Sequence, residues 1–249
     1  VNHVERFQAL MSFQPVDRLP RVEWAPWWDQ TIARWHTEGL PARLKGHFEI
    51  REYLGLDPYH QVWSRPRAKT FPAMPHGQGP VATEADYEAI LPHLYPPQTE
   101  HLAELAAWGR RQARGEVVVW LSLDGFFWSP RTLFGIQRHF TAFYDQPELM
   151  QRMNRDLAEY YVGYLREVAK VCRPAFMTFA EDMSYNKGPM LSRALFEEFI
   201  APGYRRLVPV LQEMGTRVIV DTDGDPSLMI DWMQAVGVDG VLPLERQAG

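Results

Sequence analysis

Three short apolar runs in the last third of the chain end in acidic residues, and this pattern constrains the fold more than any other feature. The runs and their acids are, in chain order, 176–180 with Glu181 and Asp182, 216–220 with Asp221 and Asp223, and 239–244 with Glu245. Each run is short enough for a buried strand and follows a longer amphipathic segment. Carboxylates at the ends of successive parallel strands are typical of the catalytic face of a (β/α) barrel. The pattern therefore predicts an α/β fold with its chemistry at that face.

The number of strands is smaller than a closed barrel needs. Segments with the composition of barrel strands are 20–25, 117–123, 176–180, 218–221 and 240–244. Because a closed barrel has eight strands, we expect a (β/α)8 TIM-type barrel that is incomplete at its C-terminus, with about five to six strands. One domain over 1–249 is expected. The proline-rich stretch 57–97 is predicted to be a lid or insertion, with a hairpin formed by 61–64 and 69–71.

Composition narrows the classes of function. The net charge of −5 and the absence of a dense Lys/Arg run argue against a nucleic-acid surface. No apolar stretch approaches the roughly 20 residues of a membrane span, so no membrane association is expected. Cys172 is the single cysteine, which predicts no intramolecular disulfide and favours a cytoplasmic location. Its place near a helix end predicts a core residue.

Known catalytic motifs are missing from the chain. It contains no HExxH, CxxC, GxGxxG, P-loop or GxSxG. The histidines lack the spacing of metal ligands and are predicted to lie on the surface or in the core; those considered are His36, His47, His60, His76, His93, His101 and His139. The missing motifs argue against zinc proteases, nucleotide kinases and α/β-hydrolases, and they leave chemistry carried out by carboxylates.

The acidic residues are therefore the candidate catalytic groups. Strand alternation places Asp221 and Asp223 on the same side of their strand, where they can bind a hard cation, share a proton or bind a cationic group. Asp225 is predicted to cap the helix that follows it. Adjacent acids point to opposite sides, so at most one of Glu181 and Asp182 is expected to face the site.

The remaining candidate residues extend this site. Glu245 repeats the strand-end placement, with a salt bridge to Arg246 as the alternative. Aromatic side chains in loops indicate either lid and core packing or an apolar ligand cavity. The residues assigned to substrate binding are Trp24, Trp28, Phe126, Glu181, Tyr185 and Glu245; those assigned to catalysis are Asp182, Asp221 and Asp223; and those assigned to metal binding are Asp221, Asp223 and Glu245.

Several longer segments carry a family resemblance. They are Glu5-Arg6-Phe7 with Pro15-Val16-Asp17-Arg18-Leu19-Pro20, Glu181-Asp182-Met183 through Leu191-Ser192, Phe196, Phe199, Pro202 and Tyr204, then 215–224, and finally Gly237-Val238-Asp239-Gly240 with Pro243-Leu244-Glu245. Together they resemble the uroporphyrinogen decarboxylase superfamily. The resemblance implies a (β/α)8 barrel and one of two activities. One is cofactor-free decarboxylation of uroporphyrinogen, and the other is zinc-dependent methyl transfer between a corrinoid and a thiol.

Two departures separate the chain from both activities. The decarboxylases carry an arginine-rich RQAGRY loop after the first strand, where this chain has Trp24-Ala25-Pro26-Trp27-Trp28-Asp29 and no cation. The methyltransferases carry a His-x-Cys pair where this chain has Asp221-Thr222-Asp223. Carboxylates favour a harder metal than zinc–thiolate chemistry uses, or direct contact with a polar substrate.

The sequence accordingly predicts a methyltransferase- or demethylase-type enzyme acting on a small methylated substrate in corrinoid-linked methyl transfer. The candidate cofactors are a divalent metal and a corrinoid supplied by a partner protein. The alternatives are a uroporphyrinogen decarboxylase, in which Asp182 and Tyr185 polarise the pyrrole, and a non-catalytic tetrapyrrole- or corrinoid-binding protein. Unpaired edge strands of an incomplete barrel also favour a homodimer.

Overall fold

The computed structural model describes residues 1–246. Its centre is a parallel sheet of five strands in the order β1-β2-β3-β6-β7, and a two-stranded antiparallel hairpin, β4-β5, follows β3. The strands are β1 Tyr59–Ser64, β2 Val118–Asp124, β3 Phe176–Ala180, β4 Ser184–Tyr185, β5 Gly188–Pro189, β6 Arg217–Asp221 and β7 Gly240–Leu242. Within residues 1–246 the main sheet has β1 and β7 as its edges. The α/β class and the parallel strands are confirmed, and the sheet is consistent with part of a barrel.

Helices alternate with the strands of the sheet. They are α1 His3–Met11, α2 Asp29–Thr37, α3 His47–Tyr53, α4 Glu84–Ile90, α5 Thr99–Ala113, α6 Trp128–Phe134, α7 Ile136–Asp145, α8 Pro147–Val171, α9 Arg193–Leu195, α10 Ala201–Glu213 and α11 Ile230–Ala235. Short 3₁₀ turns span Leu91–His93 and Ser227–Met229, and a π-helical turn spans Phe196–Ile200. Across residues 1–246, the structure contains no helix with both the length and the apolar character needed to cross a bilayer.

The two faces of the sheet differ because side chains alternate along each strand. One face, with Leu121, Phe179 and Val220, packs against the helices in the main core. The other, called the inner face, carries the smaller cluster of Phe7, Tyr59, Val118, Trp120, Ala175, Phe176 and Ile219. The Phe7 ring of α1 stacks on Phe176 with 5.0 Å between centroids. Helix α1 therefore closes the amino end of the inner face and leaves the carboxyl end for the site.

The first strand is not where the sequence pattern predicts it. Segment 20–25 forms no strand; instead Tyr59–Ser64 pairs in parallel with residues 118–123 over six positions. The predicted hairpin of 61–64 with 69–71 is wrong for the same reason, since 61–64 belong to β1. Prolines at 58 and 66 bracket this strand and give it the appearance of a loop.

The proline-rich stretch is anchored and not freely exposed. The amide of Ile136 donates to the Gly77 carbonyl (2.9 Å), and the amide of Val81 donates to the Leu133 carbonyl (3.0 Å). These bonds tie the stretch to the junction between α6 and α7. Pro202 lies in the first turn of α10, where a missing amide proton costs nothing.

Two glycines provide a matched test of the packing. A Cβ at Gly203 of α10 would lie 2.5 Å from the Phe126 ring, whereas one at Gly163 of α8 would meet nothing within 4 Å. We expect Gly203→Ala to lower the free energy of unfolding by about 1–3 kcal/mol through overpacking. Gly163→Ala is expected to raise it by about 0.5–1 kcal/mol through helix propensity. Urea titrations of both variants measure this, and equal effects would contradict the packing of Phe126 against α10.

Candidate functional site

Four carboxylates gather where β3, β6 and β7 end: Asp182, Asp221, Asp223 and Glu245, called here the carboxylate cluster. Burial, then the charges of Asp182 and Asp223, raise the pKa of Asp221 to about 7. Burial, then Asp223 and Glu245, also raise the pKa of Asp182, against an opposing effect of Arg131. Asp223 has its pKa raised by burial and by Glu245. Since like charges act only over short distances in this way, the four acids form one electrostatic unit.

Backbone contacts between the strand ends hold the cluster in place. The Asp221 carbonyl accepts hydrogen bonds from the amides of Glu181 (2.9 Å) and Asp182 (3.3 Å). Asp182 adopts a left-handed conformation with φ +44°, which is uncommon outside glycine and is often retained at functional sites. The amide of Gly224 donates to Glu245 Oε2 at 2.7 Å. The chain thus fixes the backbone around the acids, and Glu245 is bound to the loop that carries Asp223.

A hydroxyl network joins this loop to the β4-β5 hairpin. Thr222 Oγ1 accepts from the amides of Met183 (3.0 Å) and Ser184 (3.1 Å). Ser184 Oγ donates to the Asp223 carbonyl at 2.7 Å. Gly224 has φ +84°, and a Cβ there would collide with the Tyr185 backbone. Close approach of hairpin and loop therefore requires glycine at 224.

Glu181 has a different role from the one its position suggests. Its side chain is fully buried and accepts hydrogen bonds from the amides of Phe126 (2.9 Å), Phe127 (2.7 Å) and Trp128 (3.2 Å). The Tyr204 hydroxyl donates to it at 2.7 Å. Burial raises the pKa of Glu181 to about 7, and the four donors oppose this rise because they solvate the ionised form. Its prediction as a substrate-binding residue is corrected: Glu181 does not reach solvent and stabilises the loop after β2.

Phe126 is corrected in the same way. Its ring is fully buried and packs between β3 and α10, with centroids 5.9 Å from Phe179 and 5.6 Å from Tyr204. It belongs to the core and not to a ligand cavity. The other predicted aromatic residues are accessible: Trp24 lies 6.3 Å from Trp120 of the inner face, and Trp28 and Tyr185 are exposed. Their contact with a substrate stays a prediction.

Asp124 is a buried acid beside the candidate site that the sequence pattern missed. It ends β2 and aligns with Ala180 of β3, which in turn aligns with Asp221 of β6. The Trp63 indole donates to Asp124 Oδ1 at 3.2 Å. Burial raises the pKa of Asp124, while Arg67 lowers it. Its position directly after the apolar run 117–123 is the sequence feature from which Asp124 could have been predicted.

A row of polar side chains crosses the inner face below these acids. Gln61 Nε2 donates to Ser122 Oγ at 2.7 Å, and the Trp120 indole donates to Thr178 Oγ1 at 2.9 Å. Ser122 and Thr178 share a further hydrogen bond of 2.8 Å. Buried polar groups that satisfy one another in this way specify a single arrangement. These hydrogen bonds fix the inner face of the sheet next to Asp124 and Asp221.

A buried histidine beside the loop after β2 gives a test of stability against pH. His139 is fully buried among Phe127, Phe140 and Phe143, and both ring nitrogens lack a partner within residues 1–246. Burial, then Arg131, lower its pKa to about 3. We expect His139→Leu to raise the free energy of unfolding by about 1–3 kcal/mol near neutral pH, because it removes an unsatisfied polar group.

The pH dependence of this difference follows from the depressed pKa. Between about 6.5 and 3 the unfolded chain binds a proton that the folded chain does not. The contribution of His139 to stability therefore falls as the pH decreases, by about 1.4 kcal/mol per pH unit. The advantage of His139→Leu should grow over this window in urea titrations. A difference that does not change between pH 7 and pH 5 would contradict the environment described for His139.

Metal binding by the predicted residues remains a prediction. Among residues 1–246, no group of three or more His, Cys, Asp or Glu side chains is arranged to hold an ion. One oxygen of Glu245 already accepts from Gly224. Asp225 accepts from the Ser227 amide at 2.9 Å, but the 3₁₀ turn Ser227–Met229 has Pro226 at its N-cap position and no side-chain cap, so the predicted capping role of Asp225 is wrong.

Comparisons with known proteins give a likeness of fold. No known family profile matches the chain, and no curated protein is similar to it in sequence. Among solved structures it is similar to a methyltransferase from Methanosarcina mazei, with a TM-score of 0.61 and 13% identity. The likeness covers 96% of this chain and 75% of the other. At this identity the comparison shows a shared fold.

Proposed function

We propose that this protein is a methyltransferase- or demethylase-type enzyme that removes a methyl group from a small methylated substrate, in corrinoid-linked methyl transfer. The observation that carries the proposal is the carboxylate cluster at the strand ends, with an Asp221 pKa of about 7. The fold shared with a methyltransferase supports it. We also propose that the five-stranded sheet is part of a (β/α)8 barrel, in which such strand ends form the catalytic face.

Asp221 is suited to act as a general acid. When a methyl group leaves an oxygen or nitrogen, the electron pair of the broken bond stays on that atom, which then needs a proton. With a pKa of about 7, roughly half of the Asp221 carboxyls carry a proton at pH 7. A general acid works best with a pKa near the working pH. Asp182 and Asp223 help to keep this proton on Asp221, because their negative charges disfavour a further negative charge beside them.

In this proposal the acceptor of the methyl group is supplied by a partner protein. A reduced corrinoid carried by a partner protein would supply the electron pair that takes the methyl group. The exposed indoles of Trp24 and Trp63, next to the inner face, offer an apolar surface that fits a flat macrocycle. No step of the mechanism is assigned to a metal.

The charge of the site favours methyl transfer over the tetrapyrrole alternative. Uroporphyrinogen carries four acetate groups that would have to approach the four acids of the cluster. Like charges in a partly buried site repel one another strongly. Decarboxylation of that substrate therefore fits the geometry less well than reaction of a neutral or cationic methylated group.

The test is a direct search for demethylation. The purified protein is incubated with a chemically reduced corrinoid and a panel of methoxylated and N-methylated small molecules, and mass spectrometry measures the demethylated product. We expect one product molecule per corrinoid methylated, the latter followed by its absorbance. Turnover of uroporphyrinogen, used as a parallel substrate, would instead support a decarboxylase. A bound chromophore without turnover would support a binding protein.

A further inference from the structure

A second recognition site lies beside the carboxylate cluster. A cleft of about 430 Å³ separates the proline-rich stretch from α6. It is named here the arginine cleft, and the residues that matter to it are Arg67, Phe71, His76, Trp128, Arg131 and Thr132. Its volume lies in the range of small-molecule pockets.

Two arginines in this cleft form no salt bridge with any of the described residues. Within residues 1–246, neither Arg67 nor Arg131 has a carboxylate oxygen within 4 Å, although many of the other arginines do. Arg67 donates to Thr132 Oγ1, and its buried Nε has no hydrogen-bond partner in the described part of the chain. Since a guanidinium stays charged, two positive charges line the cleft, and the acids that act on them, Asp124 and Asp182, do so through space without a direct ion pair. An anion bound in the cleft would pair with them directly.

Aromatic rings hold both guanidinium groups in position. The Arg67 guanidinium carbon lies 4.5 Å from the centre of the Phe71 ring, and that of Arg131 lies 5.2 Å from the Trp128 ring. Cation–π contacts of this kind fix a planar fork that can bind a carboxylate with two hydrogen bonds. Phe71, Met74, Pro75 and Ile136 add apolar walls.

The cleft adjoins the carboxylate cluster through Arg131. Nη1 of Arg131 donates to the Asp182 carbonyl at 3.2 Å, so the two sites share a wall. Cleft and cluster carry opposite charges. A ligand with a negative group at one end and a neutral or cationic group at the other would satisfy both.

We propose that the arginine cleft binds the carboxylate of a small ligand with an apolar body, next to the carboxylate cluster. The identification of this ligand as a methylated substrate rests on the proposed function, whereas binding of the carboxylate does not. The anion would lie against Arg67 and Arg131, with its apolar part against Phe71 and Trp128. The opposite end of the ligand would extend toward Asp182.

Equilibrium binding of simple probes tests this proposal. Benzoate and hexanoate carry the anion, and benzamide is the neutral counterpart of benzoate. We expect saturable binding of at least one acid by calorimetry and at least tenfold weaker binding of benzamide. Arg67→Gln should weaken binding of the acid at least tenfold, and Arg67→Lys should weaken it less. Arg138→Gln, an exposed arginine of α7 outside the cleft, should leave it unchanged.

Three results would overturn the proposal: binding of neither acid, equal binding of benzamide, or unchanged affinity in a folded Arg67→Gln variant. If Arg67→Gln fails to fold, as thermal unfolding would reveal, Arg131→Gln decides by the same criterion. The outcomes also separate the two proposals. Methyl transfer without binding of either acid would contradict the proposal for the arginine cleft but not the proposed function. Carboxylate binding without methyl transfer from any donor would support the proposal for the arginine cleft and contradict the proposed function.

Discussion

Asp221→Asn is expected to lower the rate of methyl transfer by about 100-fold or more, which is the usual contribution of a general acid. The asparagine amide has nearly the same shape but no proton to give to the departing atom. Single-turnover rates at pH 7 measure the effect. Asp225→Asn is the matched control on the same loop, because the asparagine can still accept from the Ser227 amide as Asp225 does. We expect it to change the rate by less than about threefold.

Asp221→Asn should increase the stability of the protein at high pH, although it lowers the rate of methyl transfer. The folded pKa of Asp221, about 7, lies above its ordinary value near 3.8. The contribution of Asp221 to stability is therefore present at low pH and is lost as the pH rises through about 7. Asp221→Asn should be more stable than the parent protein at pH 8, because it removes one of four crowded negative charges. A less stable variant with full activity would contradict both parts of the account.

Glu181→Ala is expected to lower the free energy of unfolding by about 3–5 kcal/mol. It leaves the amides of Phe126, Phe127 and Trp128 and the Tyr204 hydroxyl without their acceptor, and each unsatisfied buried group costs about 1–3 kcal/mol. Partial relaxation and water entry keep the total below the simple sum. Urea unfolding measures the change.

Two further variants identify the cause of that loss. Glu181→Gln keeps the volume but presents an amide group to some of the four donors, so we expect an intermediate loss. Glu213→Ala, at an exposed glutamate of α10, should fall within about 0.5 kcal/mol of the parent protein. If Glu181→Ala behaves like Glu213→Ala, the loop after β2 is held by something other than Glu181.

The local pattern of the sequence is sufficient for part of the fold. Apolar runs followed by acids predict β3 and β6 closely, because the residues inside both strands are buried and mostly apolar. Strand β1 does not meet this criterion, since Tyr59–Ser64 mixes polar and apolar residues and lies between two prolines. Its assignment depends on pairing with β2, a contact across about sixty residues that no local pattern contains.

The strand ends that carry the candidate site can be predicted from the sequence, but the directions of the side chains there cannot. The strand-end rule places Asp182, Asp221, Asp223 and Glu245 at one edge of the sheet. It does not reveal that Glu181 turns into the core, because that direction depends on the amides of the loop after β2. The arginine cleft is likewise a product of the folded chain, since it joins Arg67 to a helix that begins about sixty residues later.

The pH dependence of single-turnover methyl transfer tests the central claim most directly. If Asp221 donates the proton, the rate of demethylation should be constant below pH 6 and fall about tenfold per pH unit well above its pKa of about 7. This decline should disappear in Asp221→Asn, whose slow residual rate is expected to be independent of pH in the same range. A rate that stays constant between pH 5 and pH 9 in the parent protein would contradict the account.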